Sequence, residues 1–301
     1  MPLPRTETVS PGPHIDARST LGAAAFLLDG QVDAIDAVRP AIAAIAKCAL
    51  KMAAAIREGH RLHYAAAGSS GLMALADVSE LRGTFGIESD KLRIHMAGGV
   101  PVDANMPGDT EDDDRAAAQL AKGIHEGDVV IVLTASGTTP FALAIARAAQ
   151  GKGTSVIGIA NNPGTPLLAM ADEAVCIATP PEVIAGSTRL GAGTAQKAAL
   201  NLMSTLMGIE LGHVYRGEMV NVIADNAKLV RRAVGMVVRI ADVSADAAEA
   251  AIKQTGGRVK PAILVAVGCT PEEAASLLEQ SNGQLGDCLN SLSPRKTNTF
   301  T

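Results

Sequence analysis

Two short segments rich in serine, threonine and glycine have the composition of an anion-binding site. Residues 68–71 read GSSG and residues 135–140 read ASGTTP, and each follows an apolar run and opens a helical pattern. The first amides of a helix have no partner within it, so such loops offer N–H groups and hydroxyls to a phosphate group. A third polar segment, residues 186–189, precedes another helical pattern. The candidate ligand-binding residues are Ser69, Ser70, Ser136, Gly137, Thr139, Ser187 and Thr188.

Other kinds of ligand site fit the sequence less well. One such loop alone is typical of an ordinary helix cap or tight turn, and it is the repetition that favours a site. The chain has no GxxxxGK[ST] motif, and AAGSSG lacks the spacing of a dinucleotide fingerprint. No HExxH motif or paired Cys/His cluster occurs, and the acidic run at residues 109–114 is typical of a solvated loop. We therefore expect neither a metal ion nor an organic cofactor.

A parallel sheet would bring these loops together. Apolar runs alternate with segments of helical periodicity, which is typical of an α/β fold with right-handed crossovers. Open sheets of this class bind ligands beyond the carboxyl ends of their strands, where both loops would lie. The predicted strands are residues 62–67, 93–97, 128–134, 155–160 and 174–177.

The flanking segments are predicted to be mostly helical. The first twenty residues are expected to form an extended arm, followed by two helices within residues 31–58 that split at Pro40. Residues 193–232 have a helical pattern with breaks at glycines. From Ser244 onward three short helices are predicted, with Ser244 and Thr270 as their N-caps.

Composition and charge narrow the class of protein. The 301 residues are 48% hydrophobic and 19% charged, with no Trp, which suits helices packed on a buried sheet. A net charge of −5 gives no general attraction to nucleic acid or to an anionic membrane. The four cysteines lie far apart, and neither a signal peptide nor a membrane span is recognised. These features predict a cytoplasmic protein.

The longest motif carries a resemblance to a known family. Residues 181–197, PEVIAGSTRLGAGTAQK, together with the two glycine loops, resemble the SIS-domain N-acetylmuramic acid 6-phosphate etherases. The likeness runs from Thr6 and Glu7, through DVSELRGTFG at residues 77–86, into the helical tail. It implies a SIS-type parallel sheet sandwiched by helices, with a small C-terminal three-helix subdomain. The domains expected are an arm with helices (1–58), the sugar-phosphate-binding domain (59–240) and the subdomain (241–301).

The same resemblance implies an activity and two catalytic residues. Etherases of this family cleave the D-lactyl ether of N-acetylmuramic acid 6-phosphate by elimination and hydration, without a cofactor, in amino-sugar metabolism and peptidoglycan recycling. Glu111 stands at the position of the base that removes the proton from C2. Glu80 stands at the position of the acid that protonates the leaving lactate. From the residues alone, each glutamate is more typical of an exposed surface carboxylate.

The spacing between the first loop and Glu80 predicts a shared site. A straight helix from Ser70 to Glu80 would place that side chain about 15 Å from the phosphate end. We therefore expect a homodimer in which each subunit supplies some of the residues of its partner's active site.

Departures from the family pattern leave other functions open. Leu72, Thr138 and Gly191 stand where the family has cationic residues, which removes potential grips on phosphate or carboxylate. A sugar-phosphate sensor without turnover, as in the glucokinase regulatory protein, is one alternative, and an aldose–ketose isomerase on the same fold is another. An etherase-like enzyme for a related sugar phosphate is a third. Cations that could compensate are Arg82, Arg189 and Lys197.

Overall fold

The structure is a computed structural model that describes residues 4–9, 14–106, 108–222, 224 and 227–292. Contacts within the chain group it into two compact units. Unit 1 comprises Met1–Ser79 and Ser89–Met207, and unit 2 comprises Glu80–Glu88 and Gly208–Thr301. The division of the sequence into residues 1–58, 59–240 and 241–301 stays a prediction.

Unit 1 is built on a five-stranded parallel sheet, which confirms the predicted fold class. The strand order is β2-β1-β3-β4-β5, and every neighbouring pair is parallel. All five residues of β1 and all six of β3 are buried, as expected for central strands covered on both faces. The strands are β1 (Leu62–Ala66), β2 (Leu92–Met96), β3 (Val129–Thr134), β4 (Ser155–Ala160) and β5 (Glu173–Cys176).

The strand order creates a crevice between two loops. The chain runs outward from β1 to β2 in one direction and from β3 to β4 and β5 in the other, so the order reverses between β1 and β3. At such a switch point the loops after the two strands diverge and leave room for a ligand. The two Ser/Thr/Gly loops follow β1 and β3, the two strands that flank this point.

Seven helices accompany the described part of this sheet, and their ends follow local signals. The Ser19 hydroxyl accepts a hydrogen bond from the Gly22 amide and caps α1. Pro40 lies in a short 3₁₀ turn that separates α1 from α2, as predicted, but α1 begins at Thr20 and not near residue 31 as expected. Gly59 has a φ of 86° just beyond α2. The helices are α1 (Thr20–Asp36), α2 (Ile42–Arg57), α3 (Gly68–Phe85), α4 (Asp114–Leu120), α5 (Pro140–Gln150), α6 (Pro166–Met170) and α7 (Gly191–Glu210).

A chain of buried polar groups joins β1 to β2 in unit 1. Asp128 is 2% exposed and accepts hydrogen bonds from the Arg61 and His125 amides and from His63 Nε2. The Nδ1 atom of His63 lies 2.9 Å from His95 Nε2. Because the carboxylate only accepts, His63 carries its proton on Nε2 and His95 donates to Nδ1. This arrangement satisfies both buried histidines as neutral side chains.

Unit 2 consists of a small hairpin and helices around their own core. The helical pattern predicted for residues 193–232 is interrupted near Gly212 and Gly217, as expected, but the interruption contains an antiparallel hairpin of β6 (Val214–Tyr215) and β7 (Glu218–Met219) that was not predicted. Arg216 and Gly217 both have positive φ, which a two-residue hairpin turn requires. Strands of two residues are too short to show alternation in the sequence.

The tail contains one helix more than predicted. Ser244 and Thr270 cap their helices as expected, and Thr270 forms a capping box with Glu273. The prediction of three helices after Ser244 was wrong, because α12 also forms after the positive-φ residue Gly283. The helices of unit 2 that lie wholly within it are α8 (Ala227–Ala241), α9 (Ala245–Gln254), α10 (Val259–Ala266), α11 (Pro271–Gln280) and α12 (Leu285–Leu292).

In the described ranges, no single helix has the length and apolar character needed to cross a membrane; α10 and α11 reach that length only as a pair bent by 117°.

Candidate active site

Most of the predicted ligand-binding residues line one cavity of unit 1. The cavity has a volume of about 110 Å³ and lies where β1 and β3 end. Side chains from both glycine loops, from the segment before α4 and from the N-terminal arm face it. The lining residues are Glu7, Ala67, Ser69, Ser70, Glu111, Thr134, Ala135, Ser136, Thr139 and Thr188.

The first loop places two serines in the opening turn of α3. The Ala67 carbonyl accepts a hydrogen bond from the Gly71 amide, so the turn begins immediately after β1. The amides at the start of a helix have no partner within the helix and point out of its end. Ser69 and Ser70 line the cavity at this end and add their hydroxyls. An anion in the cavity would meet both sets of donors.

Gly68 brings the Glu111 carboxylate against this helix end. The residue has a φ of 53°, and a Cβ built on it would lie 2.5 Å from Glu111 Oε1. A side chain at position 68 would therefore collide with the carboxylate and strain the backbone. The glycine allows Glu111 to lie close to the start of α3.

The second loop is held by hydrogen bonds among its own hydroxyls. Thr134 Oγ1 lies 2.7 Å from Thr139 Oγ1 and 3.2 Å from Ser136 Oγ. The Thr138 amide donates to Ser136 Oγ at 3.2 Å. Gly137 does not line the cavity; it has a φ of 74°, and a Cβ there would collide with Thr165. Its role in the structure is to let the loop pack closely.

Glu111 is held in place through its backbone. Its carbonyl oxygen accepts a hydrogen bond of 3.0 Å from the Phe141 amide in the first turn of α5. The side chain is half-buried, and burial together with the charge of Asp112 raises the pKa of the Glu111 carboxyl above its ordinary value. A carboxylate with a raised pKa is a stronger base than one on the open surface.

The N-terminal arm enters the site, a contribution that neither composition nor hydrophobic periodicity predicts. Thr6 is fully buried, and its carbonyl accepts a hydrogen bond of 3.0 Å from the Gly186 amide. Glu7 lines the cavity, and its Oε2 atom would lie 2.9 Å from a Cβ built on Gly186. The only sequence signal for this contribution was the pair Thr6-Glu7 in the family resemblance. Ser187, one of the predicted binding residues, is half-buried but does not line the cavity.

Glu182 is a second carboxylate that the sequence analysis did not assign. It is 3% exposed, and its two oxygens accept hydrogen bonds of 2.8 Å from the Gly191 and Ala192 amides. Burial raises the pKa of the Glu182 carboxyl although these amides oppose the effect, and the negative charge of Glu7 adds to the rise. Its place at the start of α7 makes it a helix cap that also fixes the preceding loop.

Asp77 anchors α3 within unit 1. This residue begins the DVSELRGTFG segment and is 3% exposed. The Tyr64 hydroxyl donates to its Oδ2 at 3.2 Å, and the Ser204 hydroxyl donates to its Oδ1 at 3.1 Å. Since Tyr64 lies on β1 and Ser204 on α7, these bonds fix the helix that carries Ser69 and Ser70.

Glu80 has a different setting from Glu111. It lies on α3 beyond Asp77, in the part of the helix that belongs to unit 2, and its side chain is exposed. The residues that line the cavity of the single chain do not include it. Its catalytic role stays a prediction.

The cations proposed to compensate for the missing family residues also lie elsewhere. Arg189 is exposed, and Lys197 Nζ donates to Asn201 Oδ1 at 2.5 Å. None of the three predicted cations, Arg82, Arg189 and Lys197, is among the residues that line the cavity. Position 191 has little room for a side chain, because a Cβ on Gly191 would lie 3.2 Å from both Ala34 Cβ and Glu182 Oε2.

Comparisons with known proteins agree with this architecture. A family model for the SIS domain matches residues 32–161. The N-acetylmuramic acid 6-phosphate etherase of Deinococcus radiodurans is 39% identical over 283 residues, covering 93% of each chain. The corresponding etherase of Geobacillus thermodenitrificans is 39% identical over 273 residues, covering 90% of this chain and 92% of its own. The chain belongs to the N-acetylmuramic acid 6-phosphate etherase family.

Solved structures that superpose on the chain are less similar to it in sequence than these etherases. A phosphoheptose isomerase from Francisella tularensis superposes with a TM-score of 0.47 at 19% identity, covering 64% of this chain and all of its own. The Vibrio vulnificus NanR protein complexed with ManNAc-6P superposes with a TM-score of 0.44 at 18% identity, covering 64% of each chain.

Proposed function

We propose that this chain cleaves the D-lactyl ether of N-acetylmuramic acid 6-phosphate and releases N-acetylglucosamine 6-phosphate and D-lactate. The observation that carries the proposal is the half-buried Glu111 carboxylate in a cavity lined by six hydroxyl-bearing side chains. A base beside a phosphate-binding loop suits the removal of a proton from a sugar phosphate. The names of the relatives supply the bond that breaks, an ether.

The hydroxyl-lined end of the cavity binds the phosphate in this proposal. Ser69 and Ser70 lie at the start of α3, and Ser136 and Thr139 lie at the start of α5. The opening amides of α3 and the hydroxyls of both loops supply the donors. At the start of α5 Pro140 has no N–H group and the Phe141 amide donates to the Glu111 carbonyl, so that loop contributes through its hydroxyls. Thr188, from the polar segment before α7, adds a further hydroxyl to the cavity.

Glu111 is the base that takes the proton from C2. Opening the sugar ring places an aldehyde at C1, which makes the adjacent C2–H acidic. Glu111 removes this proton, a double bond forms between C2 and C3, and the C3–O bond to lactate breaks. Water then adds at C3, and the Glu111 carboxyl returns its proton to C2. A carboxyl group with a raised pKa suits both halves of this cycle.

Glu80 is the acid that protonates the departing ether oxygen, and it acts from the partner subunit of a homodimer. Its exposure in the single chain supports this assignment, because an exposed side chain on a surface helix can enter the site of a second copy. After lactate leaves, the Glu80 carboxylate accepts a proton from the attacking water.

The cytoplasm is the proposed location, and recycling of peptidoglycan is the proposed role. The four cysteines are all unpaired, which is typical of a reducing compartment. An etherase there removes lactate from a phosphorylated cell-wall sugar and leaves a common amino-sugar phosphate.

A direct assay tests this function. The purified protein is incubated with N-acetylmuramic acid 6-phosphate, and D-lactate is measured with a lactate dehydrogenase coupled reaction. We expect release of D-lactate, and we expect Glu111→Gln to lower kcat by about 10²- to 10⁴-fold, the usual contribution of a general base. Asp109→Asn, which changes an exposed carboxylate outside the cavity in the same acidic run, is the matched control and should retain activity.

The absence of family cations at Leu72, Thr138 and Gly191 supports one second candidate, a sugar-phosphate sensor. A sensor would bind N-acetylmuramic acid 6-phosphate without releasing lactate. Isothermal titration calorimetry on the same preparation separates the two functions: tight binding with no lactate would replace the etherase by the sensor.

A further inference from the structure

A second cavity of unit 1 adjoins the first and differs from it in character. Its volume is about 550 Å³, and Ser136 lines both cavities. Where the first cavity is lined by hydroxyls, much of the second is lined by apolar groups. The lining residues are Pro4, Arg5, Ser136, Thr138, Asn162, Pro163, Gly164, Thr165, Pro166 and Ala169.

Among the described residues that line this second cavity, Arg5 alone is charged. Its side chain is exposed, and in the described part of the chain its guanidinium has no ion-pair partner. No carboxylate is present among the lining residues to neutralise it. The cavity therefore presents one positive charge beside an apolar wall.

Hydrogen bonds on both sides of Arg5 hold it in place. Its own amide donates to Asn162 Oδ1 at 2.7 Å, and Asn162 Nδ2 donates to Thr6 Oγ1 at 3.2 Å and to the Ala135 carbonyl at 2.8 Å. The Gly186 amide donates to the Thr6 carbonyl. These bonds connect the arm to the loops that follow β3 and β4, so the position of Arg5 is set by the site itself.

The location of this charge matches a gap in the family pattern. The family resemblance implies an arginine at the position of Thr138, and Thr138 lines the same cavity as Arg5. The arm therefore brings a cation to the cavity whose loop has lost one. A guanidinium pairs well with a carboxylate, and proline and alanine side chains suit a methyl group.

We propose that Arg5 binds the carboxylate of the lactyl group, while Pro163, Pro166 and Ala169 contact its methyl. The lactyl group is the one part of the substrate that combines a carboxylate with a methyl. The phosphate and the sugar lie in the hydroxyl-lined cavity, and the leaving group extends past Ser136 into the second one. This inference rests on the proposed function and makes Arg5 a determinant of substrate specificity.

The test compares two ligands that differ only in the lactyl group. Calorimetry measures the affinity for N-acetylmuramic acid 6-phosphate and for N-acetylglucosamine 6-phosphate of proteins with arginine, glutamine or lysine at position 5, each also carrying Glu111→Gln so that the ligand is not cleaved during the titration. We expect Arg5→Gln to weaken binding of the first ligand by about tenfold or more, the effect of one lost charge-assisted contact, and to leave the second unchanged. Arg5→Lys should fall between wild type and Arg5→Gln. Arg147→Gln, on the exposed side of α5, should behave as wild type.

Two outcomes would overturn the inference. If Arg5→Gln weakened the binding of both ligands equally, Arg5 would contact the phosphate or contribute to the folding of the arm. If the affinity for both ligands were unchanged, Arg5 would not take part in binding. Melting temperatures of the variants show whether the protein is folded. Because binding is measured, the test does not depend on turnover. Wild-type protein that binds both ligands but releases no lactate refutes the proposed function and leaves this inference standing.

Discussion

The Glu111 carboxylate can occupy its position because the adjacent residue, Gly68, has no side chain. The carboxylate lies against Gly68 at the start of α3, and its backbone is bonded to the first turn of α5. Both helices begin at the carboxyl ends of the strands that flank the switch point. The base is thus fixed relative to both anion-binding loops, which is a requirement for abstracting a proton from a bound sugar phosphate.

The pH profile should report the Glu111 carboxyl. Burial and the Asp112 charge raise its pKa, and a base works only when deprotonated, so kcat/KM should fall as the pH drops through that raised value. Asp112→Asn removes one of the two causes and should move the acidic limb to lower pH while kcat at neutral pH is kept. If the acidic limb of the pH profile did not move in Asp112→Asn, the group responsible for that limb would not be Glu111.

Gly68→Ala should lower kcat strongly while it lowers the free energy of unfolding only slightly. The new Cβ would lie 2.5 Å from Glu111 Oε1 and displace the carboxylate, and a displacement of about 1 Å is worth about a hundredfold in rate. The positive φ adds about 1 kcal/mol of strain. Gly83→Ala on the same helix meets open space and should stabilise the protein by up to about 1 kcal/mol. Steady-state kinetics and thermal melts check both variants, and normal kcat in Gly68→Ala would contradict this account of Glu111.

At the scale of elements, the sheet was predictable and the connections were less so. The strands in residues 62–67, 128–134 and 155–160 were found within one residue of their predicted ends, because buried parallel strands are continuous apolar runs. The hairpin between α7 and α8 was not predicted, because its strands have only two residues each. The two loops could be identified from their composition. The cavity that they form together with Glu7 could not be predicted, because it depends on contacts between segments far apart in the sequence.

The buried pair of β1 and β2 histidines should make stability depend on pH. Burial lowers the pKa of His63, and it lowers that of His95 to about 4. Below about pH 6.5 the unfolded chain takes up protons that the folded chain excludes, so stability should fall as the pH drops from there towards 4. Each histidine contributes a slope of up to about 1.4 kcal/mol per pH unit.

Melting temperatures between pH 7 and pH 5 measure this effect. His95→Gln removes one titrating group, so its melting temperature should fall less steeply with acid than that of wild type, whatever the value at pH 7. The exposed His14 offers the matched control, His14→Gln, whose pH dependence should equal that of wild type. Equal slopes in all three proteins would mean that the buried histidines titrate normally.

At the scale of the whole molecule, the proposed shared site needs two copies of the chain. Glu111 lines the cavity of unit 1, and Glu80 is exposed on the part of α3 that belongs to unit 2. The length of the helix between the first loop and Glu80 was available from the sequence. A partner surface was not, because self-association depends on the arrangement of exposed side chains from many segments.

Mixing two inactive proteins tests the shared site. Glu80→Gln and Glu111→Gln should each be inactive as homodimers. If each site takes Glu111 from one subunit and Glu80 from the other, random mixing should restore about a quarter of wild-type activity, since half of the dimers are mixed and each has one intact site. Subunit exchange is confirmed by mass spectrometry of the mixture. Exchange without recovered activity would place both carboxylates in one chain or exclude Glu80 from the reaction.

Oxygen-isotope labelling tests the proposed etherase reaction most directly. The wild-type protein converts N-acetylmuramic acid 6-phosphate in water enriched in ¹⁸O, and fragmentation mass spectrometry locates the label, with C3 distinguished from the exchangeable C1 oxygen. Elimination and hydration predict ¹⁸O on C3 of N-acetylglucosamine 6-phosphate and unlabelled D-lactate. Label in the hydroxyl of lactate, or no release of lactate, would contradict the account.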